Sequence, residues 1–524
     1  MKRALGWARW LLPPLVLAAW ALAVANTGRW PSGDGPHVLG AAARLDQMLR
    51  DGELLTFGWC FQSLLGPHPP GAYVPALLAD MAVGAGRWTH LLAGAGVLWL
   101  CWDGMRRLSG GLVAAVLLAS ASPIWLQAES YGVDLVAAAA VVQCVSHLVA
   151  SQGLTHRGHT LAWGAWLGAA FLAKYTAPMF LWLPCLLTGV VVLRHGRWKS
   201  LAAAIGAFCV VALPWWATHA AGVVGYLGAS TDADFALATN ENMVETPWTD
   251  LENLSWYPAA LVDAVGWPGA VALAVGALAW PRHKDARCWE RWAIPLAAAA
   301  GGWLLLTMQV QRQDRYLIPL LPLLAALGGS SRLRWLLGAV GSVGAYGAGA
   351  VYLSWTDVPA SRAYEHDLKT GGASWPWVHE SYQPTSMNPG PWLLDESLHK
   401  LRVLHGSDEG TVGFLLDDGD GAPGFGLVLS RVAALGYRWH VATVMPMNRP
   451  DGTIEGAIFV GPFTTDDWPS RDFKALLAIL RPGDQLRERW IEHVGLTETD
   501  RFPLPGDKEG RLYVMEDGWV TLER

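Results

Sequence analysis

The chain has 524 residues, 52% of them hydrophobic and 16% charged, against ~25% charged in a typical soluble domain. A soluble chain of this length needs far more polar surface, so the composition argues for a membrane protein. A net charge of −6 with no Lys/Arg block argues against nucleic acid as a partner. Charge is unevenly spread: residues 1–355 are apolar runs with short polar breaks, and beyond them Asp, Glu, Arg and Lys recur every few residues. Two parts are expected, a membrane part over 1–355 and a water-soluble part over 356–524.

The start, MKRALGWARW followed by LLPPLVLAAWALAVA, has the basic and apolar regions of a signal peptide. It reads here as an uncleaved first span, because further apolar runs follow. Runs long enough to cross, some with tilt, lie near 11–26, 88–103, 111–127, 132–150, 160–173, 176–193, 200–219, 257–280, 292–308, 315–328 and 334–355. About eleven transmembrane helices are therefore expected.

The positive-inside rule sets their orientation. With the N-terminus cytoplasmic, the inner segments hold Lys2, Arg3, Arg9, Arg106, Arg107, Arg157, Arg194, Arg197, Lys199, Arg282, Lys284, Arg287, Arg291, Arg332 and Arg334. These outnumber the outer Arg29, Arg44, Arg50, Arg87, Lys174, Arg312 and Arg315. An odd number of spans then puts the C-terminal part outside the cytoplasm.

Two outer segments are long. Residues 27–87 contain amphipathic stretches near 35–50 and 70–86 that suit helices lying in the interface. Residues 220–256 carry Asp232, Asp234, Glu241, Glu245, Asp250 and Glu252 without a Lys or Arg. Many of the Trp residues sit near span ends, as interfacial anchoring predicts. Cys60, Cys101, Cys144, Cys185, Cys209 and Cys288 form no CxxC and no metal-ligand spacing, and most read as small buried hydrophobes.

Ionisable groups at the outer membrane edge are costly to desolvate and mark the places where chemistry is sought. In SGDGPHVL, Asp34 lies between glycines and ahead of Pro36 and His37. It suits close approach of a substrate, and equally an N-cap for the helix that follows. In GPHPPGAY, His68 precedes Pro69, Pro70 and Tyr73, a stretch that a simple extended turn also explains. In AESYGVD, Glu129 and Asp134 share an outer turn with no local cation. Lys174 in FLAKYTAP, and Arg312 and Arg315 in QVQRQDRYLIP, are cations on the side where positive charge is scarce. Each either snorkels to headgroups or holds an anionic partner. Together, outer acids and outer cations provide for deprotonating a nucleophile and stabilising a leaving phosphate. No nucleotide motif is present, so an activated substrate is expected to arrive on a lipid.

At these residues the chain resembles the GT-C superfamily of polyprenyl-phosphate-sugar-dependent glycosyltransferases, in its protein O-mannosyltransferase-like and lipid A aminoarabinose transferase-like branch. Asp34 after the first span, HPPGAY at 68–73, Asp134 opening the fourth span, GAAFLAKYTAP at 168–178 and RYLIPLLP at 315–322 carry the likeness, in family order. One departure is Gly35, which follows Asp34 where the family often has a second acid. The resemblance implies a GT-C-like catalytic part over 1–355 that transfers a sugar, with inversion, from a polyprenyl-phosphate donor to an envelope acceptor hydroxyl. It implies Asp34 as base, with Asp134 and Glu129 as further acids. Lys174, Arg315 and Arg312 would bind phosphate, and His37, His68, Tyr73, Tyr175 and Tyr316 would line the substrates. Some relatives use a divalent metal, for which no ligand signature is visible. The implied location is the inner membrane. A transporter or lipid-handling protein is the alternative, although such proteins place polar residues at mid-membrane in repeated halves.

In the C-terminal part, strands are expected at 411–419, 438–445, 456–463 and 512–516, with helices at 426–437 and 471–480. This alternation predicts a small layered α/β domain, with structural support or acceptor recognition as its role.

Overall fold

The computed structural model describes residues 13–22, 24–25, 34–63, 69–109, 111–129, 131–230, 251–279, 286–308, 314–356, 393–416, 428, 431–432, 434–448, 454–460, 473–480, 483–504 and 508–515. Each apolar run read from the sequence coincides with helix. The first is α1 (Pro13–Leu22). The segment after it, expected on the outer side, carries α2 (Asp34–Arg50), α3 (Leu54–Ser63), a 3-10 turn over Pro70–Ala72, and α4 (Tyr73–Val83). The body continues with α5 (Arg87–Ser109), α6 (Leu112–Ala119), α7 (Ser122–Glu129), α8 (Val133–Ala150), α9 (Arg157–Ala173), α10 (Trp182–His195) and α11 (Trp198–Ser230). It ends with α12 (Leu251–Leu278), α13 (Ala286–Thr307), α14 (Leu320–Ser330) and α15 (Arg334–Thr356).

The centre of this body is α8, a run of Ala and Val buried on nearly every side and packed against α5 and α9. A helix apolar all round has no solvent face to offer, so its burial follows from its sequence. The ten-residue stretch LLPLLAALGG of α14 is buried in the same way. By contrast, α11 keeps many apolar side chains exposed, including Val210 and Val224, as a helix at the lipid-facing rim does. Small residues bring the helices close. A Cβ on Gly164 of α9 would lie 2.1 Å from the Ala204 carbonyl oxygen of α11, and one on Gly168 2.9 Å from the Val211 side chain.

Two predicted spans are not single rods. The run at 111–127 is divided into α6 and α7, bent by 80°. At the break the Trp125 indole donates to the Ala119 carbonyl at 3.0 Å and the Ser120 hydroxyl to Leu117, so the freed backbone oxygens are satisfied. The run at 257–280 bends by 108° within α12. There Gly266 adopts φ 68°, ψ 162°, and Pro268 follows it. Among the described residues, α8 and Trp198–Gly225 of α11 are long and apolar enough to cross a membrane, and up to four spans arise if each bent pair is one. The expected eleven therefore rests on shorter apolar helices as well.

Beyond residue 393 the chain forms α16 (Leu394–His405) and a six-stranded mixed sheet. Its strands are β1 (Glu409–Leu416), β2 (Arg438–Asn448), β3 (Ile454–Val460), β4 (Ala475–Leu480), β5 (Thr497–Leu504) and β6 (Lys508–Val514), in the order β3-β2-β1-β4-β6-β5. Strand β1 is parallel to both β2 and β4, and the remaining pairings are antiparallel. Helix α17 (Gln485–Val494) joins β4 to β5. Alternate residues of β1 and β4 enter two apolar layers. Phe414, Leu477 and Ile479 lie with Leu398 and Leu401 of α16, whereas Leu415, Leu476 and Ala478 lie with Trp490 and Ile491 of α17.

The helix expected at 471–480 is thus a central strand. ALLAIL is apolar at every position because both of its faces are covered, and a short unbroken apolar run has no period to separate strand from helix. Arg438 at the start of β2 reaches Asp51 after α2 at 3.6 Å, which ties the sheet to the outer helices. Gly164→Val is expected to force α9 from α11 and to cost about 1–3 kcal/mol, read as a lower midpoint of thermal unfolding in detergent.

Candidate active site

Four short turns, far apart in sequence, converge where α8 begins. The first is the 3-10 turn at 70–72. Pro69 is extended (φ −68°, ψ 143°) and Pro70 opens the turn with its φ already set. Gly71 faces the end of α9 so closely that a Cβ would lie 2.5 Å from the Leu172 carbonyl oxygen. No side chain fits there, which explains why glycine follows the proline pair.

The second turn precedes α8. Tyr131 is left-handed (φ 53°), a conformation uncommon outside glycine and one that needs support from its surroundings. That support is at hand: the ring is buried, and its hydroxyl donates to the Ala72 carbonyl at 2.7 Å. Burial raises the phenol's pKa well above its ordinary value, so the group stays a donor. Two residues later α8 starts, with Asp134 in its first turn, where the helix dipole favours a carboxylate.

The third turn ends α9. Lys174 leaves the helix in an extended conformation (φ −166°, ψ 149°), and its Nζ donates to Asp134 Oδ1 at 2.5 Å. The fourth is the 3-10 turn Asp314–Leu317. It brings Arg315 Nε to 3.9 Å from Asp134 Oδ2 and sets the Tyr316 ring 4.9 Å from Lys174 Nζ, within cation–π range.

Asp134 is only 1% exposed, whereas the Arg315 side chain is 42% exposed. One buried carboxylate thus lies between two cations, and the Arg315 side chain stays partly exposed. Glu129, the last residue of α7, is buried at 2% exposure near the same turn. Tyr73 is fully buried at the start of α4. Tyr175 is half-buried, edge-on to Trp216 with centroids 6.4 Å apart. Beside the Lys174 turn lies an apolar cavity of about 320 Å³, lined by Trp163, Phe171, Pro178, Trp182, Ile205 and Phe208.

Of the residues singled out in the sequence, Asp134, Lys174, Arg315 and Tyr316 are thus in one cluster. Asp34 opens α2, and His37 is one turn further along it; the side chains of both lie outside the described residues. His68 and Arg312 also lie outside the described residues. Among the described residues, no group of three or more His, Cys, Asp or Glu side chains is placed to hold a metal ion. The sequence reading passed over Tyr131 and Gly71. The available signal was the juxtaposition of Tyr with Gly inside ESYGVD, and of Gly with the two prolines inside HPPGAY.

No family model matches this sequence, and no curated protein matches it. Solved structures do match. ArnT from Cupriavidus metallidurans bound to undecaprenyl phosphate superimposes with a TM-score of 0.56 over 99% of both chains at 14% identity. The same protein in the apo state superimposes with a TM-score of 0.56 over 98% of both chains, also at 14% identity. The likeness extends from the helical body through the C-terminal sheet, so the chain shares the fold of that ArnT. Identity this low carries the fold and leaves the chemistry to be argued from the residues.

Two substitutions test the cluster itself. Tyr131→Phe is expected to cost about 1 kcal/mol through the lost bond to Ala72. Asp134→Asn is expected to cost more, about 1.5–3 kcal/mol, because the bond it weakens is charge-assisted. Thermal unfolding of the purified variants reads both, and equal midpoints for the two would contradict the ranking.

Proposed function

We propose that the chain is an integral membrane glycosyltransferase that moves a sugar from a polyprenyl-phosphate donor to a hydroxyl of an envelope acceptor, with inversion at the anomeric carbon. The observation that carries the proposal is the convergence of Lys174 and the partly exposed Arg315 on the buried Asp134, in a fold shared with an ArnT that was solved bound to undecaprenyl phosphate. In this reading residues 1–355 form the membrane part, with the N-terminus cytoplasmic, in the inner membrane. Residues 356–524 form an extracytoplasmic α/β domain that supports the outer helices or recognises the acceptor.

Lys174 and Arg315, with Arg312 beside them in sequence, bind the donor phosphate. Asp134 is too buried to be a base exchanging protons with solvent. Its role is to hold the two cations at one point and to keep them ionised in a poorly solvated place. The apolar cavity beside Lys174 takes the first isoprene units of the lipid, so that headgroup and chain are gripped by adjoining surfaces.

Asp34 is the general base. Two facts support its nearness to the cluster. Helices α2 and α4 meet at their C-terminal ends, where Arg50 Nη2 donates to the Met81 carbonyl at 3.3 Å. They also pack along their lengths. A parallel pair of this kind directs the Asp34 end of α2 toward the Tyr73 end of α4, which supports a base on the Ala72 and Tyr131 side. The acceptor hydroxyl gives its proton to Asp34 as its oxygen bonds to the anomeric carbon. The bond from that carbon to the phosphate oxygen breaks on the opposite face, and the electron pair leaves with the phosphate. A single displacement of this kind inverts the centre. Glu129 supplies negative charge for the oxocarbenium character of the transition state. His37, His68, Tyr73, Tyr175 and Tyr316 border the sugar and acceptor.

Lys174→Met and Asp34→Asn are each expected to reduce transfer by about 10²–10³-fold at unchanged membrane expression. Mass spectrometry of envelope glycans and lipid-linked sugars checks this in cells. A strain carrying either variant should lose one envelope sugar and accumulate its polyprenyl-linked form. An unchanged glycan profile in cells lacking the chain altogether would remove the enzyme reading.

A further inference from the structure

The outer helices carry a buried acid pair that the proposed reaction does not use. Asp46 of α2 is 5% exposed and Asp80 of α4 is 2% exposed. They meet where α2 packs on α4: Arg50, which binds Asp46, also donates to the carbonyl of Met81 beside Asp80 at 3.3 Å. Two buried ionised carboxylates repel and neither can donate to the other, so a hydrogen bond between them requires a proton on one.

The surroundings select Asp80 as its holder. Asp46 is matched by Arg50 of its own helix, Nε to Oδ2 at 2.6 Å. Asp80 Oδ1 is buried without a hydrogen-bond partner among the described residues. An ionised Asp80 would leave that oxygen charged and unsolvated. From α5, Thr89 is the polar side chain that bears on Asp80, and its hydroxyl donates to the Gly84 carbonyl at 2.5 Å. His90 is buried beside Thr89 in the first turn of α5. Burial first, then the Asp46 carboxyl, push Asp80 up to about 7, against the smaller opposing pulls of Arg50 and Thr89.

We propose that the one proton held between Asp46 and Asp80 latches α2 to α4, and that its loss releases α2 together with Asp34. Asp46 and Asp80 are then positioning residues for the base. The part of this inference that concerns Asp34 rests on the proposed function; the latch does not.

The sign follows from linkage. Folded Asp80 keeps its proton up to about pH 7, whereas the same carboxyl in a released or unfolded segment loses it near its ordinary acidic value. The latch is therefore strongest in acid, weakens as pH rises toward 7, and levels off above that.

Hydrogen exchange on the full chain in detergent tests this at about pH 5 and about pH 8, corrected for the intrinsic rate and normalised to α8. Protection over residues 38–50 is expected to fall by about tenfold between the two conditions. Asp80→Asn, whose amide donates to Asp46 without titrating, should make the response flat. Asp46→Asn should do the same if the first variant folds poorly. No fall in the parent chain, or an equal fall in a folded Asn variant, overturns the latch. Where transfer is measurable, the parent's kcat should decline as pH rises from about 5 to about 7, with that decline absent in Asp80→Asn. Exchange is read without substrate, so a chain with no transferase activity would remove the role of Asp34 and leave the latch standing.

Discussion

A buried carboxylate at the first turn of a central helix is the interaction on which the rest of this molecule is organised. Removing Asp134 from water is costly, and the cost is offset only where cations reach it. Neither cation comes from α8. Lys174 comes from the end of α9 and Arg315 from the turn before α14, so their pairing with one carboxylate brings three separate segments to one point. The Pro70–Ala72 turn is held there by two further contacts, the Tyr131–Ala72 hydrogen bond and the close approach of Gly71 to Leu172. Position, charge and backbone geometry are thereby coupled.

In the proposed reading the same coupling prepares the two cations for a phosphate, because one of them stays within reach of an arriving group. Here the second cation stands further off, at 3.9 Å, and is partly open to its surroundings. Under the proposed function, an arriving phosphate meets cations already oriented by Asp134, and the apolar cavity lined by Phe171 and Pro178 is the place for the hydrocarbon chain. Preorganised charge of this kind acts without rearrangement at the moment of reaction.

Much of this was legible in the sequence, for identifiable reasons. Apolar length marks helices in a membrane protein because unsatisfied backbone cannot face lipid, so each run coincides with helix, although the ends differ: the run at 200–219 belongs to a helix that spans Trp198–Ser230. Outer-edge ions were found because such groups are rare enough to stand out. Bends were not found. The break between α6 and α7 depends on a Trp125 indole folding back onto a carbonyl, and the kink in α12 on a positive φ at Gly266. Both are tertiary choices that hydropathy averages away. β4 was misread because burial on two faces erases the alternation that marks a strand. Tyr131 went unread because its importance lies in a backbone angle and in a partner 59 residues away.

The acid pair at Asp46 and Asp80 shows the limit from the other direction. In sequence, Asp46 is one polar residue on an amphipathic helix and Asp80 one on another, and either alone reads as a solvated position. Their meaning arises only when the two helices pack, and then it is energetic rather than geometric: one proton must stay for the packing to persist. The molecule thus carries two kinds of buried acid, Asp134 on α8 and the Asp46–Asp80 pair on α2 and α4. Asp134 is met by two cations, whereas Asp80 has its pKa raised by burial and by the neighbouring Asp46. The same functional group serves as an ion-pair partner in the first setting and, in the proposed latch, as a removable hydrogen bond in the second. The difference is set by which neighbouring turns supply a lysine or arginine.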